Sequence, residues 1–140
     1  MFSANAGDSR AVLYSYNKAT GGMKIKALSE DHKPCMPVEK QRVLQKNGRV
    51  DAIKGPMGQN LGPLRVWLKD QDAPGLAMSR SLGDLVAHSV GVSTSPEVKR
   101  FELSPEDKFI IVASDGVWEF LSNQDIAKIV WPFYLKNSPE

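Results

Sequence analysis

The sequence predicts an α+β fold built mainly from antiparallel strands, and three observations carry that expectation. Arg10 to Tyr16 and Met23 to Leu28 have strand composition and are joined by Asn-Lys-Ala-Thr-Gly-Gly, the layout of a hairpin. Phe109 to Ser114 is a mostly apolar run with no charge in it, which reads as a strand buried on both faces, with a short buried helix as the rival. Ile126, Ile129, Val130 and Phe133 fall at i, i+3, i+4 and i+7, which is one apolar helical face.

Taken in order, Met1 to Asp8 reads as the end of a strand entering a Gly-Asp turn. In the hairpin, Met23, Ile25 and Ala27 alternate with Lys24 and Lys26, so its second strand should have one wet face. Pro37 sits at a first helical position and Gly48 at a C-terminal stop, and the spacing predicts a helix from about Val38 to Lys46. Arg49 to Ile53 returns as a short strand. From Lys54 to Gly75, glycines and prolines interrupt the short apolar piece Leu64 to Leu68, and the expectation is a long loop. A second loop follows through Val90, Gly91 and Val92. Pro96 to Leu103 reads as a strand and Ser104 to Asp107 as a turn before the apolar run. Ser122 should cap the last helix, and Pro132 should end or kink it near Trp131. The count is about six strands and two helices, an α+β pattern.

At 140 residues the chain is one domain or part of one. Its 18 Lys and Arg nearly balance 16 Asp and Glu and are scattered, with no basic stripe carrying aromatics, so nucleic-acid binding is not indicated. No stretch reaches the length that crosses a bilayer, and the amino terminus lacks the layout of a signal peptide. The single Cys35 permits no internal disulfide and agrees with a reducing compartment. The expected location is intracellular, cytoplasmic and/or nuclear, with no membrane partner.

Asp115, at the end of the apolar run and followed by Gly116, is the first candidate for chemistry. A carboxylate where a buried strand meets water sits on a rigid support, which suits a metal ligand, whereas the plain alternative is a cap on the following turn or helix. Asp8, in Gly7-Asp8-Ser9-Arg10, is the second, and its plain alternative is an Asx-type turn between strands. Together they could share a hard, oxygen-liking dication such as Mg²⁺ or Mn²⁺. His32, a lone loop histidine in Asp31-His32-Lys33-Pro34, is favoured neither as acid nor as ligand. Other chemistries fail by inspection. Cys35 has Gln41 where a cysteine phosphatase needs arginine, and Arg42 comes one place too late. Asp70 and Asp72 lie in a Pro-flanked loop and read as a solvated turn. Ser79-Arg80-Ser81 has hydroxyls without an evident base. The phosphate-cradling loop, the His-Glu-x-x-His helix and paired cysteines are all missing. Met57 and Trp67 read as packing residues.

Six blocks then occur in order: Ala4 to Leu13, Leu28 to Pro34, Glu39 to Val50, Gly75 to Asp84, Ser95 to Val98 and Phe109 to Phe120. Over nearly the whole chain this set resembles the central and later part of the metal-dependent type 2C serine/threonine protein phosphatases, in the form found in plant and protist members. The resemblance implies a four-layer αββα sandwich of two mainly antiparallel sheets flanked by helices. It implies Mg²⁺ or Mn²⁺ in a cleft, and a metal-held hydroxide that attacks phosphoserine or phosphothreonine in protein substrates without a covalent intermediate. By motif, Asp115 matches the family's metal-bridging aspartate and Asp8 the aspartate of a more peripheral metal. Residues 1–140 would be a partial catalytic domain, with about 54–91 covering the flap beside the cleft. The family's early acidic and Asp-Gly-His-Gly-Gly blocks and its late Asp-Asn block are absent, so this stretch is expected to bind metal weakly, to show little activity alone and to self-associate. The alternatives are a noncatalytic, pseudophosphatase-like partner-binding module of the same fold, and an unrelated α+β interaction domain.

Overall fold

The computed structural model describes residues 1–136 and divides the chain into two compact units. The first holds Met1–Asn5, Ser9–Glu30 and the described residues from Val98 onward. Its main sheet has three antiparallel strands, β2 (Arg10–Asn17), β3 (Gly22–Ala27) and β8 (Asp107–Ala113), in the order β3-β2-β8. Asn17 makes the hairpin turn, its side chain accepting from Ala19 N at 2.8 Å and Thr20 N at 3.1 Å. Because β2 is the middle strand, Val12, Leu13, Tyr14 and Ser15 are all buried. Val12 stands opposite Ile111 and Tyr14 opposite Phe109, whose rings stack at 4.8 Å, so period-2 spacing sends these side chains to one face. That face is covered by Trp118 and by Ile126, Ala127 and Val130 of α4 (Asn123–Leu135). A two-stranded pair, β1 (Phe2–Asn5) with β7 (Glu97–Arg100), completes the strands, and α3 (Asp115–Trp118) is a single turn after β8.

Helix α4 begins as the sequence implies. Ser122 accepts from Asp125 N while the Asp125 carboxylate reaches back to Ser122 N, a capping box. The expected stop at Pro132 does not occur, since the helix runs on to Leu135. Trp131 lies 4.9 Å from Tyr16 and Tyr134 lies 5.4 Å from Phe109, so aromatic contacts with the sheet hold the last turn despite the hydrogen bond that proline cannot make. Strand β8 also departs from the expectation that the Phe109 to Ser114 run is buried on both faces. It is the edge of its sheet, with Ile110 38% and Val112 72% exposed, so only its other face is covered.

The second unit holds Ala6–Asp8 and Asp31–Glu97. Helix α1 (Pro37–Gln45) starts on Pro37, and strands β4 (Gly48–Lys54), β5 (Asn60–Leu68) and β6 (Pro74–Leu76) form an antiparallel sheet in chain order. The stretch read as a long loop is thus largely strand. Glycine and proline mark its exposed start at Gly62 and Pro63, but Val66 is fully buried and Leu68 half-buried against Val43, Ala87, Val90 and Val92. The expected second loop contains α2 (Leu85–Ser89), whose N-cap Asp84 accepts from Ala87 N at 3.2 Å. At the end of α1 two roles are divided between neighbours. Asn47 takes the left-handed conformation (φ 59°), while Gly48 allows close approach, since a Cβ there would stand 2.6 Å from Val43 Cγ1 and 2.8 Å from Val90 O. No helix of the described residues is long and apolar enough to cross a membrane.

Candidate active site

Asp115 is the first residue of α3, directly beyond β8, and its side chain belongs to an exposed residue. It does not cap the turn: Ser114 holds the N-cap position in extended backbone, and Asp115 follows in the first turn. What fixes the turn is Trp118. Its buried indole donates from Nε1 to Ala113 O at 2.8 Å and Arg10 O at 3.2 Å, tying α3 to the ends of both β8 and β2. The Arg10 guanidinium lies over the Trp118 ring at 5.3 Å and donates to Asn123 Oδ1 at 3.0 Å, so the start of α4 is fastened to the same corner. Ser-Asp-Gly-Val-Trp therefore folds into an anchored turn that presents one carboxylate to water, which is the support a hard-cation ligand needs.

Asp8 stands in the second unit and in different surroundings. It is only 6% exposed, and the Lys33 ammonium pairs with its Oδ2. Gly7 before it has φ +149°, a backbone that side chains disfavour. The turn is gripped by His32, whose backbone N donates to Gly7 O at 2.9 Å and whose Nδ1 lies 3.2 Å from Gly7 N and 3.0 Å from Gly7 O. The tautomer decides which of the two ring contacts is the hydrogen bond. His32 is 2% exposed, and burial together with the Arg80 charge pushes its pKa below the usual imidazole value, so the ring is neutral at pH 7. It is a core residue that holds the turn.

The sequence reading missed a buried charge cluster in this unit. Glu39 of α1 is 2% exposed and accepts from Arg42 Nη2 at 2.7 Å, Arg80 Nη2 at 2.7 Å and Ser79 Oγ at 2.7 Å. Burial pushes its carboxyl up, and the hydrogen bonds from Arg42, Arg80 and Ser79 outweigh burial and hold it far below the usual carboxylate range. Arg42 also donates to Gly91 O and Ser79 O, and Arg80 to Ser95 O, so one carboxylate ties α1 to two passing segments. The Ser79-Arg80 pair is thus structural. The only trace of this in the sequence was Glu39 and Arg42 at i, i+3.

The remaining candidates fall into place singly. Asp72 is paired with Arg49 at 2.6 Å and 90% exposed, a solvated turn as read. Trp67 packs, with the Arg49 guanidinium 5.4 Å from its ring and its Nε1 donating to Asp51 O at 2.9 Å. Met57 does not pack: it is 89% exposed. Cys35 is free and exposed.

As a test of fit for a metal, Asp115 qualifies as one oxygen ligand and Asp8 is already neutralised by Lys33. Among the described residues no group of three or more His, Cys, Asp or Glu side chains could hold a metal ion. These residues do not by themselves make a complete metal site.

The antiparallel sheets and helices match solved protein phosphatases. The similarity extends over 99% of this chain and 44% of a serine-threonine phosphatase 2C from Toxoplasma gondii, with a TM-score of 0.83 and 23% identity. A second phosphatase from a pathogenic strain of Toxoplasma gondii matches at a TM-score of 0.66 and 28% identity, over 98% of this chain and 38% of that one. The fold class is therefore the mixed α and β architecture of these enzymes. The family model for protein phosphatase 2C matches residues 1–139, and the chain belongs to that family. Similar curated relatives include probable protein phosphatase 2C 61 of Arabidopsis thaliana, 42% identical over 127 residues, covering 91% of this chain and 37% of the relative. Probable protein phosphatase 2C 64 of Oryza sativa subsp. japonica is 45% identical over 130 residues, covering 93% and 30%. The chain spans about a third of the length of these relatives. The family consists of protein phosphatases and is in general metal-dependent.

Proposed function

We propose that the full protein containing this chain hydrolyses phosphoserine and phosphothreonine in protein substrates with Mg²⁺ or Mn²⁺, and that Asp115 is one of the metal ligands. The observation that carries this is the anchored turn at Asp115. Its carboxylate is exposed at the end of β8, while Trp118 ties the turn to Ala113 and Arg10. A bound dication supplies a lowered water pKa and offsets charge on phosphoryl oxygens. What this chain contributes is orientation: Asp115 cannot swing with a loose loop, because both flanks are fixed. The names of the relatives weigh toward this catalytic reading and against the noncatalytic one. An intracellular location is part of the same proposal.

The 140-residue chain alone should be nearly inactive, since one exposed carboxylate and one lysine-paired carboxylate leave a dication short of oxygen ligands. Phosphopeptide hydrolysis with added Mn²⁺ tests both parts. Activity is expected in the full protein and not in the isolated chain. Mn²⁺-stimulated turnover by the isolated chain, lost in Asp115→Ala, would overturn the claim of inactivity.

A further inference from the structure

We propose that Arg10 is a positioning residue for Asp115: it clasps the turn that carries this carboxylate and fastens that turn to the start of α4. This rests on the reading of Asp115 as a functional carboxylate and adds the residue that holds it in place. Arg10 opens β2 and faces Ala113, the last residue of β8, across the final pair of their ladder. The Trp118 indole closes that pair, donating from Nε1 to both carbonyls. Arg10 then meets the same ring a second time, with its guanidinium 5.3 Å from the ring centroid. A cation over an indole is attracted by the ring quadrupole, so the backbone and the side chain of one residue hold Trp118 together. From there Nη1 donates to Asn123 Oδ1 at 3.0 Å, at the first position of α4. Asp115 thus lies on a stretch, 113–123, that Arg10 grips at its start, in its middle and at its end. Only a guanidinium suits all of this, because its planar fork lies on a ring and donates in its own plane at once, which the single ammonium of lysine cannot do.

Two measurements on the full-length protein test this. The first is hydrogen exchange of the Val117, Trp118 and Glu119 amides, which bond within the turn to Ser114 O and Asp115 O. Their exchange should speed up about 10-fold in Arg10→Met, with Arg10→Lys in between. The second is Mn²⁺-supported phosphopeptide hydrolysis. Arg10→Met should lower kcat/KM about 10-fold, yet cost nothing further on the Asp115→Asn background, because both substitutions act through one carboxylate. Unchanged exchange, or an equal loss of kcat/KM on both backgrounds, overturns the proposal; the equal loss is what a merely structural residue would give. Asp115→Asn alone separates the two levels. If it is crippled while Arg10→Met matches wild type, only the role of Arg10 fails; if it keeps wild-type turnover, the reading of Asp115 fails and this role with it. Should Arg10→Met not fold, Asn123→Ala decides. It removes the acceptor of the Arg10 fork and leaves the bond from the Tyr14 hydroxyl to the Asn123 backbone carbonyl. The same amides should then exchange at least about 3-fold faster, and no change contradicts the clasp.

Discussion

Replacing Glu39 with alanine in the full-length protein should cost about 3 kcal/mol of stability. The carboxylate accepts from Arg42 Nη1 and Nη2 at 3.0 and 2.7 Å, from Arg80 Nη2 at 2.7 Å and from Ser79 Oγ at 2.7 Å, and it is 2% exposed. Breaking a buried ion pair from one side typically costs about 3–5 kcal/mol, because the partner charge is left uncompensated. Here the stranded guanidinium groups are 27% and 19% exposed and keep their carbonyl acceptors, which places the loss at the low end. With a urea slope of about 2 kcal/mol per molar, the midpoint should fall by about 1.5 M. A fall under about 0.5 M would refute the reasoning. The charge dependence has a definite sign. The folded carboxyl lies far below its ordinary value, so its stabilisation is complete above the unfolded pKa of about 4.3 and is lost as pH falls below it. The stability gap between wild type and Glu39→Gln should therefore narrow between pH 6 and pH 3, and a gap that widens on acidification contradicts the account.

Trp118→Phe keeps a ring but removes the indole donor shared by Ala113 and Arg10, and should destabilise by about 1–3 kcal/mol in urea unfolding while loosening the Asp115 turn. Gly91→Ala should cost more than about 1 kcal/mol, since φ is +96° and a Cβ would meet Arg42 O and Val43 Cα at 3.0 Å, and a neutral result in thermal melts would show that the contact relaxes. The isolated chain should self-associate through the edge strand β8, where Val112 is 72% exposed, and Val112→Lys should lower the mass seen by light scattering. A monomeric wild-type chain would count against that.

How much of this was legible beforehand depends on whether the deciding contact is local. The β2–β3 hairpin, the proline-started α1 and the Ser122 cap are set by residues within a few positions of one another, and each appears where the spacing placed it. Strand β5 was hidden because Gly62 and Pro63 signal a break, while the signal for strand, Val66 meeting Val43 and Ala87, comes from other elements. The helix runs past Pro132 because Trp131 and Tyr134 on either side of it pack on Tyr16 and Phe109, contacts that outweigh the proline's own propensity. The position of Asp115, exposed just past the end of β8, was legible from the strand that delivers it. The Lys33 partner of Asp8 and the Arg80 partner of Glu39 lie 25 and 41 residues away, and no periodicity reports such pairs.

The most direct test of the central claim is Mn²⁺-dependent hydrolysis of a phosphothreonine peptide by the full-length protein and its Asp115→Asn variant, with melting temperatures measured alongside. If Asp115 is a metal ligand on an anchored turn, the variant keeps its fold and loses at least about 100-fold in kcat/KM, roughly 2.7 kcal/mol of transition-state stabilisation. A folded variant that retains wild-type turnover and the same Mn²⁺ dependence would contradict the assignment.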